Sequence, residues 1–145
     1  MSYRILEHTA DLGIEAIGAT AEEVLEQAAL AMTSILTGKP HPHLLGRPDR
    51  ELRFFVEASD REALGVAFLS ELLWHSESQD LLWVGGGVRL QDGKDGLLRA
   101  DAQGNAVVHD PARHGQGVEV KAVTYHGLEF ARDGKQWRLR VILDI

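Results

Sequence analysis

The apolar positions of this 145-residue chain recur at two spacings, and the spacing changes along its length. Tyr3 to Glu7 and Leu12 to Ile17 read as short strands, with Gly13 and Gly18 at the ends of the second. Val24, Leu25, Ala28, Ala29, Met32, Ile35 and Leu36 then follow at helical intervals. Thr20-Ala21-Glu22-Glu23 precedes them as a capping box, in which the threonine hydroxyl accepts from the amide three residues on. Gly38 and Pro40 stop that helix. Leu52, Phe54, Val56 and Ala58 alternate as a strand, with Arg53 and Glu57 outward. Ser59-Asp60-Arg61-Glu62 is a second capping box and opens a helix to about Glu77. That helix is apolar most of the way round, which predicts packing on two sides. Glu71 lies on its apolar stripe.

The second half of the chain is rich in strands. Leu81 to Gln91 is strand-like but interrupted by Gly85-Gly86-Gly87, and Asp92-Gly93 and Asp95-Gly96 mark a turn. Leu97 to Ala102 and Ala106 to His109 are short strand candidates, followed by a loop from Asp110 to Gln116. Val118 to Ile145 reads as two or three strands, with a hairpin at Asp133-Gly134-Lys135. In the last strand Trp137, Leu139, Val141 and Leu143 point one way, and Arg138, Arg140, Ile142 and Asp144 the other. Lys39 to Asp49 holds three of the four prolines and reads as an exposed loop. The pattern predicts an α+β fold of one domain over residues 1–145. Two capped helices would pack on a mixed, largely antiparallel β-sheet.

Composition narrows the function. The chain has no cysteine, which excludes disulfides, a thiolate zinc site and a cysteine nucleophile. A formal charge of −7 argues against gripping nucleic acid unaided and favours a basic partner or bound cations. The first residues carry charges and no apolar signal core, and no segment approaches the ~20 apolar residues of a membrane span. The expectation is a cytoplasmic protein without a membrane partner.

Few residues suggest chemistry. The triple glycine lacks the GxGxxG spacing and no helix follows it, so a bulge or tight bend fits better than a phosphate loop. His41 and His43 lie in the proline-rich loop, where solvation fits better than a metal pinch. His75, four residues after Glu71, reads as a structural pair on the helix surface. There is no nucleophile elbow, no HExxH and no CxxC. The last strand, by contrast, ends in Asp144 and then the carboxylate of Ile145. Two anions one residue apart at the end of an apolar strand call for a counter-charge. Oxygen-only ligands suit a hard divalent cation, Mg²⁺, Ca²⁺ or Mn²⁺. Asp11, in His8-Thr9-Ala10-Asp11, is the best further carboxylate, although an Asx-turn is its simpler reading.

Several segments together resemble the archease family: His8 to Gly13 (H-T-A-D-x-G), the T-x-E-E helix start, Leu69 to Trp74, Lys121 to Glu129 (K-A-V-T-Y-H-G-L-E) and Val141 to Ile145. They run in the family's order over nearly the whole chain. The chain departs from the family at Ser70, where asparagine is frequent, and in the histidine- and proline-rich Lys39–Asp49 loop, where the family is acidic. The resemblance implies an α+β fold and a non-enzymatic accessory protein of a GTP-dependent RNA ligase. Such ligases join 3′-phosphate or cyclic phosphate ends to 5′-hydroxyl ends in tRNA splicing and RNA repair. The accessory protein promotes guanylylation and multiple turnover of the ligase. It meets RNA only indirectly, through that partner. The resemblance places metal ligands at Asp11, Asp144 and Ile145, and functional roles at His8 and Lys121. A metal-dependent phosphohydrolase acting alone and a chaperone-like interaction module are the alternatives.

Overall fold

The structure is a computed structural model that describes residues 1–7 and 11–145. Two antiparallel strands, β1 (Ser2–Glu7) and β2 (Asp11–Gly18), lead into helix α1 (Ala21–Thr37). Strand β3 (Arg50–Ala58) precedes helix α2 (Arg61–Gln79). Strands β4 (Leu81–Asp92) and β5 (Leu98–Val108) follow, then the one-turn helix α3 (Pro111–His114). Strands β6 (Ala122–Asp133) and β7 (Gln136–Asp144) close the chain as a hairpin.

The strands divide into two sheets, in the orders β1-β2-β7-β6 and β3-β5-β4. Every pairing in them is antiparallel, so the α+β expectation holds with two sheets in place of one mixed sheet. The helices lie between the sheets: α1 packs on β2 and β4, and α2 packs on β6 and β3. That position explains the wide apolar girth of α2, which has sheet on two sides. Phe68 of α2 is fully buried and meets Phe54 of β3 edge-on at 5.5 Å. One apolar cluster runs through both helices and both sheets, from Leu139 and Phe130 to Trp83 and Val88.

Local signals hold with small shifts of frame. The Thr20 hydroxyl accepts from the Glu23 amide at 3.1 Å, while the Glu23 carboxylate accepts from the Ala19 amide at 2.8 Å. In α2 the cap is Asp60, which accepts from the Ala63 amide at 2.8 Å, one residue later than the capping box beginning at Ser59. The two strand candidates after residue 96 are a single β5. As the central strand of its sheet it is bonded on both sides, and the ladders carry it through polar Gln103-Gly104-Asn105. Gly104 is needed there because a side chain would strike the Trp83 ring and the Gly85 carbonyl. The triple glycine marks a bulge in β4, where the register shifts between Trp83 and Gly85.

Candidate functional site

The candidate site is built by the alternation of β2 and β7. Leu12 faces Leu143 across the pair, and both side chains are buried against the helices. One residue further, Asp11 faces Asp144, and the alternation turns both carboxylates to the outer face of the sheet. On the other side of β7, Ala122 faces Asp144, and the Lys121 amide donates to the Asp144 carbonyl at 2.8 Å. Lys121 therefore enters β6 directly beside the acidic pair. The Ile145 side chain packs against the core, so the end of β7 is held in place.

A second row of the same sheet shows what is unusual about the first. Arg4, Glu15, Arg140 and Glu129 stand opposite one another in turn across β1, β2, β7 and β6. Their charges alternate, and the Arg4 guanidinium bonds the buried Glu15 carboxylate at 2.7 Å. At Asp11 and Asp144 two like charges face each other, an arrangement that costs about 0.2–1 kcal/mol. One carboxylate oxygen of Asp11, Oδ1, is also buried without a hydrogen-bond partner among the described residues. Leaving a buried acceptor unsatisfied costs about 1–3 kcal/mol. An Asx-turn would have given Oδ1 a backbone donor.

The other candidates separate from this site. His8 lies outside the described residues. His41 and His43 meet edge-on at 5.9 Å in the proline-rich loop. His75 is buried with Nε2 3.5 Å from Glu71 Oε1, within reach of the Phe54 ring, and reads as part of the core. Among the described residues no three histidine, aspartate or glutamate side chains converge as a metal cluster. The site joins two carboxylate side chains, and the third group expected there is a main-chain carboxylate. Both charge and ligand type fit a hard divalent cation, because the facing carboxylates carry an oxygen without a hydrogen-bond partner, and no ion pair, among the described residues.

Sequence reasoning missed one feature of this region. In β6 the residues Tyr125 to Leu128 stand against Val141 alone, so the strand is extruded as a wide bulge. It exposes Tyr125 and His126 at the sheet edge, close along β6 from the acidic end. Gly127, with φ of 62°, is the local signal that could have revealed it.

Comparisons with known proteins bear on the family and the fold. Residues 3–145 match the model of the archease protein family (MTH1598/TM1083). A protein archease of Methanosarcina mazei is 34% identical over 143 residues, covering 99% of this chain and 95% of the relative. One from Pyrococcus furiosus is 36% identical over 143 residues, covering 96% and 95%. The solution structure of Methanobacterium thermoautotrophicum protein 1598 superposes with a TM-score of 0.76 at 30% identity, covering 99% of this chain and 98% of that one. The crystal structure of a Thermotoga maritima archease, described as a possible chaperone, shares the fold with a TM-score of 0.58 at 24% identity, covering 98% and 96%. With the family model spanning almost every residue, this chain belongs to the archease family.

Proposed function

We propose that the chain is an accessory protein that activates a GTP-dependent RNA ligase, and that its acidic strand ends hold a divalent cation for that task. The observation that carries the reading is the facing pair Asp11 and Asp144, with a buried oxygen that has no partner among the described residues. Asp11, Asp144 and the carboxylate of Ile145 would hold Ca²⁺, Mg²⁺ or Mn²⁺. Such an ion supplies neutralisation of phosphate charge in phosphoryl transfer. The chain's own residues do the rest. Asp11 and Asp144 set the position of the negative oxygens through the β2–β7 register. The Lys121 backbone is bonded to the end of β7, and its side chain is assigned to meet a phosphate or a carboxylate of the ligase. His8 belongs to the same segment as Asp11 and is assigned a supporting role. The net charge of −7 suits docking against a basic ligase cleft and leaves RNA in this role to the ligase.

Single-turnover guanylylation of such a ligase, with and without this protein, tests the proposal. The protein raises the rate, and Asp144→Ala lowers the stimulation by about tenfold or more, equivalent to ~1.4 kcal/mol. A C-terminal extension beyond Ile145 impairs it as well. GTP turnover by the chain alone would replace this reading with that of an enzyme. Full stimulation by a folded Asp11→Ala protein would leave only a chaperone-like interaction module.

A further inference from the structure

The helical layer covers the inner face of the β3-β5-β4 sheet, and its outer face is open. The register sets two central rows on that face: Arg53–Gln103–Gly87 and Phe55–Asp101–Arg89. They line a shallow concavity of about 1070 Å³. Phe55 is 51% exposed, and the Arg99 guanidinium lies 3.7 Å from its ring centroid. Asp101 accepts from Arg99 Nε and Nη2 at 2.9–3.2 Å and from Gln91 Nε2 at 2.6 Å. Those bonds, that from Arg99 first, hold the Asp101 carboxyl below its ordinary range. The guanidinium is thus fixed over one face of the aromatic ring before any ligand arrives, which lowers the ordering cost of binding.

Two further observations point outward. Arg89 stands opposite Asp101 and helps to hold its carboxyl down, but Arg99 and Gln91 take up that carboxylate's bonds, and Arg89 makes no ion pair or side-chain hydrogen bond among the described residues. Gly87 has an ordinary negative-φ or extended backbone, and a side chain there would meet nothing within 4 Å. Neither packing nor conformation requires that glycine, and its effect is a bare strip of backbone beside the stack. A half-exposed aromatic capped on one face by a locked guanidinium, amide side chains and an arginine without an ion pair among the described residues match the needs of a nucleobase and its phosphate. A protein partner would find only Phe55 to bury on these rows.

We infer that this face is a stacking platform for single-stranded nucleic acid, with bases on Phe55 and Arg99 and a phosphate on Arg89. Three strands ~4.8 Å apart give room for about two or three nucleotides. Three arginines and three carboxylates make the face neutral on a chain of net charge −7. Affinity therefore rests on stacking, with a shallow salt dependence set by few phosphate contacts. The inference goes beyond the ligase reading and does not depend on it, because binding is read without a ligase.

Fluorescence anisotropy of a short end-labelled oligoadenylate, titrated with the whole protein, tests it. Saturable binding is expected, with AMP a weak competitor. Phe55→Ala weakens binding at least about fivefold, the lower bound for one stacked base. Arg89→Ala also weakens it and reduces the salt slope. Trp74→Ala, which removes an exposed ring on α2, leaves it unchanged. Circular dichroism and melting curves confirm that each variant is folded. No binding, equal loss with Trp74→Ala, or insensitivity to Phe55→Ala and Arg89→Ala overturns the inference. AMP competing as well as the oligomer overturns it in favour of a mononucleotide site.

Discussion

Asp11 and Glu15 lie on one face of one strand and meet opposite fates. Glu15 is buried, bonded to Arg4 and flanked by Arg140. Asp11 faces another aspartate and keeps an oxygen without a partner among the described residues. If the acidic pair is a cation site, Asp11→Asn relieves repulsion and removes a ligand together. In chelator the variant is more stable than the parent by about 0.2–1 kcal/mol. In millimolar Ca²⁺ it lacks the rise in melting temperature that ligand binding gives the parent. Thermal melts with EDTA and with Ca²⁺ measure both. The two aspartates were legible in the sequence as polar residues ending apolar strands. Their juxtaposition was not, because it is a register between residues at opposite ends of the chain. Phe55 was legible in the same sense: Leu52, Phe54 and Val56 turn inward, so the alternation turns Phe55 out.

At the scale of the element, helix starts follow backbone geometry more closely than motif spelling. Ser59 and Asp60 are both competent caps, but Asp60 has the extended backbone and the bonded carboxylate. Asp60→Ala therefore destabilises the protein by about 1 kcal/mol, and Ser59→Ala by less than ~0.5. Urea unfolding of the two variants measures the difference, and the reverse order would return the cap to Ser59. In β5 the polar Gln103-Gly104-Asn105 looked like a break between two strands. The central position in the sheet overrides that local signal, since β3 and β4 bond the segment on both sides.

At the scale of the whole molecule, the helices join the two sheets through one apolar cluster. Trp83 marks the β3-β5-β4 sheet and Trp137 the β1-β2-β7-β6 sheet. Neither sheet keeps a covered face without the helices, so they unfold together. Tryptophan fluorescence and far-ultraviolet circular dichroism give coincident urea transitions, and separated midpoints would show the sheets to be independent units. The sandwich also leaves two outer faces, one ending in the acidic pair and one carrying the Phe55–Arg99 stack.

From the chain alone came the two long helices, most of the strands, their inward residues, the approximate helix caps and the two aspartates, because a period of two or 3.6 is dictated by the local backbone; the one-turn helix Pro111–His114 lay in what read as a loop. The split into two sheets, the β2–β7 register and the bulge at Tyr125 came only from the tertiary structure. Strand pairing is settled by contacts between distant residues. Packing on a shared helical layer decides those contacts, and no short window of sequence contains it.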